Sequence, residues 1–222
     1  MIMKKLTYKR EAIFWILLLI PFIYIAYIWT QIPDRVPVHF DMHGTPDNWG
    51  GKFSIFLLPG VNIGMYLLIL FLPKIDPKRM NYDLFNSIFY KMRLAIVFFL
   101  CVLSLIITQA AIKGQIDQNI SHLIPVAVFL FLAILGNFMI NIKPNWFLGV
   151  RTPWTLSSDY VWRQTHQVIG RIWFYGGLIC AALSFFAGEE WGSRLILTFA
   201  LGTTAFAFAY SYWLYKKEME KL

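Results

Sequence analysis

The sequence predicts an all-α polytopic membrane protein of about six transmembrane helices, N-in/C-in, with a juxtamembrane amphipathic helix leading into the fifth. Three observations carry this. The 222 residues are 58% hydrophobic and only 14% charged, too apolar for a soluble domain. Apolar runs of the roughly 18 residues that cross a bilayer core of about 30 Å recur along the chain. Basic residues fall mostly in alternate connections between those runs.

The runs lie near 12–30, 54–73, 93–112, 120–140, 171–187 and 194–215, the fifth being the shortest. No Ala-x-Ala-like cleavage site follows the first, which therefore reads as an uncleaved anchor. No linker, low-complexity segment or fixed-period repeat divides the chain, so 1–222 is expected to be a single membrane domain.

Sixteen of the 20 basic residues precede span one, join spans two to three and four to five, or follow span six. Only Arg35, Lys52, Lys113 and Arg194 fall on the other side. By the positive-inside rule the richer side is cytoplasmic. The twelve acids divide equally, which leaves +10 inside and −2 outside. The overall +8 is thus a topology signal that also attracts anionic lipid headgroups, and no direct nucleic-acid partner is expected.

Away from their ends the spans carry no Asp, Glu, Lys or Arg, and their polar residues include Asn62, Thr108, Gln109, His122 and Asn137. Proton- and ion-coupled transporters keep ionisable groups at membrane depth, so this pattern argues against that class. Gly60 and Gly64 form a small-x-x-x-small pair, read as packing within the chain in preference to dimerisation. Cys101 and Cys180 lie in apolar spans and fit neither a disulfide framework nor a metal spacing.

Function is then sought in two polar islands. In the extracytoplasmic loop 31–53, Pro33 and Pro37 bias Val36 to Phe40 toward extended backbone, followed by successive turns at Asp41 to Gly44 and Thr45 to Asn48. Alternation puts His39, Asp41 and His43 on one face. Two readings stay open: a two-histidine, one-carboxylate metal site with Asp47 as a fourth ligand, or polar side chains that bond turn backbone and hold the loop's shape. Trp49 reads as an interfacial anchor.

In the cytoplasmic loop 141–171, Gly149 allows a tight turn and Thr152-Pro153 forces extended backbone. Thr155, Ser157 or Ser158 can cap a following helix with Asp159 in its first turn. Trp162, His166, Gly170 and Trp173 then share one face, and Arg163, Gln167 and Arg171 another. That face is either a docking surface for a cytoplasmic protein or an interfacial helix with snorkelling cations. Arg151 either pairs with Asp159 or meets a headgroup phosphate. No Gly-rich phosphate loop, HExxH or nucleophile elbow is present, and Ser157, Asp159 and His166 form no recognised triad, so neither an enzyme nor a cofactor is expected.

The run Asn145, Gly149, Arg151, Thr152, Pro153, Trp154, Thr155, Leu156, followed by Trp162, Thr165, His166 and Gly170, resembles the signature of the SdpI family of bacterial multispan membrane proteins. The run from Ile32-Pro33 through Pro37, His39, Phe40 and Asp41, with Gly44 and Asp47, looks like the uncharacterised domain that commonly precedes it. The resemblance implies a bacterial cell-membrane immunity protein that protects against a secreted toxin peptide. It further implies a receptor that holds a cytoplasmic transcriptional repressor at the membrane. The toxin face would then be His39, Asp41, His43 and Asp47, and the inner face Asn145, Gly149, Arg151, Thr152, Pro153, Trp154, Trp162 and His166. A small-molecule or lipid transporter is the alternative.

Overall fold

A computed structural model describes residues 8–41, 45–121, 123–187 and 189–221. The chain runs α1 (Tyr8–Tyr27), β1 (Arg35–Phe40), β2 (Pro46–Gly51), α2 (Leu57–Ile75), α3 (Asn81–Leu84), α4 (Asn86–Lys113) and α5 (Gln118–Ser121). It continues with α6 (Leu123–Met139), α7 (Pro153–Ser157), α8 (Asp159–Arg171), α9 (Gly177–Ala187) and α10 (Glu189–Met219).

Five helical segments among the described residues are long and apolar enough to cross a membrane: Arg10–Tyr27, Lys52–Ile75, Asn86–Lys113, Asp159–Phe186 and Glu190–Met219. The fourth expected span, Leu123–Met139, has only 17 helical residues, about 26 Å at 1.5 Å per residue. The fifth, expected to be the shortest, is 28 residues long. It gains this length because α8 continues through the π-helical turn Ile172–Gly176 into α9 without a break. The amphipathic helix is therefore the first half of a long rod.

Large apolar side chains point outward, among them Ile23, Leu68 and Leu201, as expected where the surroundings are hydrocarbon. With no hydrophobic drive between helices in lipid, close approach depends on small residues. The seam between α6 and the α8–α9 rod shows this. A Cβ on Gly136 would lie 2.7 Å from the Gly170 carbonyl oxygen, one on Gly170 would lie 2.8 Å from the Gly136 oxygen, and one on Gly177 would lie 2.8 Å from the Phe129 oxygen. The expected Gly60–Gly64 packing is corrected here. Both glycines are exposed, and a Cβ on either would meet nothing within 4 Å.

The charges at the ends of the first and third expected spans form a buried pair. Arg93, inside α4, is 4% exposed and donates from one Nη to both carboxylate oxygens of Glu11 in α1, at 2.7 and 2.6 Å. Tyr66 of α2 donates to the same carboxylate at 2.9 Å, and the guanidinium lies 4.4 Å from the Phe14 ring centre. This cluster joins α1, α2 and α4.

The connection between α1 and α2 folds as an antiparallel hairpin rather than as one extended segment followed by turns. Arg35 pairs with Gly51, Val36 with Gly50, Pro37 with Trp49, His39 with Asn48 and Phe40 with Pro46, with irregularities on either side of His39. Buried Ile32 and Val36 fix the hairpin to Ile25, Ile28, Ile55 and Ala111 at the end of the bundle. Chain alternation puts the 141–158 connection at the opposite end, beside the start of α4 and the close of α10.

Candidate functional site

At the hairpin tip, His39 Nδ1 meets Asp47 Oδ1 at 2.5 Å across the two strands. Asp41 closes the turn: its Oδ1 accepts the Thr45 N–H at 2.9 Å, and its own N–H donates to the Thr45 carbonyl at 2.9 Å. Both His39 and Asp47 are well exposed. His43 lies outside the described residues, and among those described no group of three His, Cys, Asp or Glu is placed to hold a metal ion. Below the tip, Trp29, Phe53 and Phe56 pack ring to ring, with Lys52 over the Trp29 face at 4.4 Å. Exposed Trp49 adds to this aromatic end.

The opposite connection is built around Asn145, which is fully buried. Its Oδ1 accepts the N–H groups of Phe147 and Leu148 at 2.9 and 2.6 Å, and its Nδ2 donates to the Lys143 carbonyl at 2.9 Å. The side chain thus replaces backbone partners that an irregular segment lacks. Gly149 follows at φ +92°, a conformation only glycine adopts freely.

His166 closes the turn from below. Its Nε2 lies 3.0 Å from the Val150 nitrogen and its Nδ1 2.8 Å from the Trp162 carbonyl oxygen. A backbone N–H can only donate and a carbonyl can only accept, so the ring is neutral, with its proton on Nδ1. The Trp162 indole stacks on it with ring centres 4.0 Å apart and donates from Nε1 to the Ile142 carbonyl at 3.0 Å.

Thr152 then starts α7 with a reciprocal capping box. Its Oγ1 accepts the Thr155 N–H at 3.2 Å, while Thr155 Oγ1 accepts the Thr152 N–H at 2.9 Å. Pro153 fills the first helical turn, where no N–H is required. Thr152 also donates to Ser211 Oγ of α10 at 3.0 Å, and Trp154 packs against Tyr212 with ring centres 5.0 Å apart. Of the three capping residues considered for the amphipathic helix, Ser158 caps α8 by accepting the Val161 N–H.

The sequence-predicted inner residues therefore divide. Asn145, Thr152, Trp162 and His166 are buried supports, and Gly149 and Pro153 shape the backbone. Arg151 is exposed, donating to the Trp146 carbonyl at 3.2 Å. It does not pair with Asp159, whose carboxylate instead meets Lys78 Nζ at 3.2 Å. Trp162 is 1% and His166 0% exposed, so the face considered for docking is turned into the bundle. Ser157 donates to the Trp154 carbonyl and His166 is fully engaged, so Ser157, Asp159 and His166 form no relay.

Sequence reasoning missed Asp76. Only 2% exposed, it follows α2 and accepts from the Lys78 N–H at 2.7 Å, the Tyr82 hydroxyl at 2.9 Å and the Trp146 N–H at 2.9 Å. Burial, then the hydrogen bond to Asp76, push the Tyr82 phenol well above its ordinary range, so it remains a donor. Asn81 adds a bond to the Pro144 carbonyl at 2.7 Å. The two connections at this end are thus one knitted unit. Its only sequence signal is a lone acid at Asp76-Pro77 within a basic stretch.

Beside this unit, α4, α6, α8, α10 and residues 147–152 enclose a cavity of about 390 Å³ with mainly apolar walls.

No solved structure matches the chain. The chain is 27% identical over 209 residues to the immunity protein SdpI of Bacillus subtilis (strain 168), covering 94% of this chain and 97% of that one. Residues 16–63, which include both strands of the hairpin, match a domain of unknown function (DUF1648). Residues 141–212, which span the knitted connection, the α8–α9 rod and most of α10, match the model of the SdpI/YfhL protein family, so the chain is a polytopic membrane protein similar to that family over about a third of its length.

Proposed function

We propose that this protein is a plasma-membrane immunity protein that protects the cell carrying it from a secreted toxin peptide. The observation that carries the reading is the near full-length similarity to a curated immunity protein, with both family segments in order along the chain. In this reading the bundle crosses six times, N-in/C-in, with Leu123–Met139 as the fourth crossing. The hairpin then lies outside.

The hairpin offers the toxin an exposed His39–Asp47 pair above an aromatic collar, with Asp41 and His43 completing the face in sequence. Such a combination suits a peptide that carries both charge and apolar side chains. On the cytoplasmic side, a transcriptional repressor would meet the exposed rim of the knitted connection, Arg151 with Trp146 and Tyr160, because Trp162 and His166 are covered. The apolar cavity walls give no support to a polar transport route.

The test is expression in a toxin-sensitive bacterial host. Survival with the peptide left intact outside the cells, reduced by Asp47→Ala at unchanged membrane abundance, supports immunity at the hairpin. Killing at normal abundance of the wild-type protein sinks the reading. Arg151→Ala is expected to weaken repressor capture and spare survival.

A further inference from the structure

The cavity beside the knitted connection has a composition the immunity reading does not use. At about 390 Å³ it falls in the size range of small-molecule sites, roughly 300–1,000 Å³. Met92, Ile96, Met139 and Phe208 supply apolar wall, and Arg151 is the single charged residue lining it. Arg151 makes no ion pair among the described residues. Trp173 also lines the cavity, and its Nε1 is buried with no hydrogen-bond partner, a cost that an acceptor on a bound molecule would remove.

These features are ordered in depth. Arg151 lies in the connection outside the helices, whereas Ile96 is ten residues along α4 from its first residue, or about 15 Å at 1.5 Å per residue. A cation at the surface, apolar wall beneath it and an unmet indole N–H on one of the lining residues match an amphiphile with an anionic head, ester carbonyls and a hydrocarbon tail. Exposed Lys74, Lys143, Arg163, Arg171, Lys216 and Lys217 at the same end add attraction for a net negative head.

We infer that this cavity is a binding site for one anionic phospholipid, its phosphate at Arg151 and one acyl chain between α4, α6 and α10. The assignment is independent of toxin immunity at the hairpin and of which leaflet faces this end, and it shares Arg151 with the rim offered to the repressor.

The full-length protein, purified in non-ionic detergent, would be titrated with dioleoyl phosphatidylglycerol or dioleoyl phosphatidylcholine and examined by native mass spectrometry. One phosphatidylglycerol should be retained at about a tenfold lower concentration than phosphatidylcholine, as expected for one charge-assisted contact. Arg151→Gln should erase that preference, Arg151→Lys should keep part of it, and Ala207→Phe, which fills the cavity, should reduce retention of both lipids. Wild-type melting temperature should rise more with phosphatidylglycerol, a readout that stands if a variant fails to fold. Equal retention of the two lipids by the wild type, or an undiminished preference in Arg151→Gln, overturns the site. Retention of neither lipid, the result expected of a protein segment lodged in the cavity, overturns it equally.

Discussion

Gly149 and His166 occupy each other's space: a Cβ on the glycine would fall on the imidazole Nε2, the atom that accepts the Val150 N–H. Gly149→Ala therefore meets two penalties, a positive φ and a clash with a ring fixed by its own bonds. The expected loss is about 2–4 kcal/mol, read as a lower melting temperature in detergent. Removing the ring as well, in Gly149→Ala/His166→Ala, should cost less than the sum of the two single changes, because the clash is gone. Strict additivity would show that the backbone alone sets the glycine requirement.

Glu11 and Arg93 should behave as a coupled pair. Both are largely buried, so truncating one leaves the other's charge without its partner, at about 3–5 kcal/mol. Glu11→Ala and Arg93→Ala are each expected to lower membrane abundance and melting temperature. Glu11→Gln/Arg93→Met should be closer to wild type than either truncation. A pair of small, additive effects would reassign the cluster to simple surface pairing.

The glycines separate by position. Gly136→Leu or Gly170→Leu forces apart backbones that are almost in contact, and loss of folded protein from the membrane is expected. Gly60→Leu and Gly64→Leu point into open space and should leave melting within about 1 kcal/mol of wild type. A severe defect at Gly60 or Gly64 in the purified monomer would contradict this packing.

Sidedness is checked by labelling. In a background where Cys101 and Cys180 are replaced by Ala, Asp47→Cys should react with a membrane-impermeant maleimide in intact cells. Ser157→Cys, exposed at the opposite end, should react only after permeabilisation. Labelling of Ser157→Cys from outside would reverse the proposed orientation.

The helical bundle was legible because membrane length and apolar composition are local properties, and Gly149, Thr152 and Pro153 were legible because turns and caps use few residue types. The Trp162–His166 face was found by its period, yet its destination was open, since an apolar stripe fits a partner and a bundle interior equally well. Asp76, Glu11 and Arg93 escaped notice because their bonds reach residues distant in sequence: Asp76 to Trp146, and Arg93 to Glu11. Gly60 and Gly64 misled for the complementary reason. Their spacing permits close approach, but only the arrangement of neighbours decides whether a helix comes near, and here the near one comes to Gly136.

The π-helical turn at 172–176 fixes the rotational phase between the two halves of one rod. An α-helix advances about 100° per residue, and a π turn holds one extra residue in a single wider loop. Winding those five residues as regular α-helix, with none removed, would swing Gly177, Ala181 and buried Ser184 about 100° around the axis relative to Gly170. Lipid-facing side chains would be driven onto α6. The irregular turn thus acts as the key that lets Gly170 before it and Gly177 after it both meet the backbone of a single neighbour.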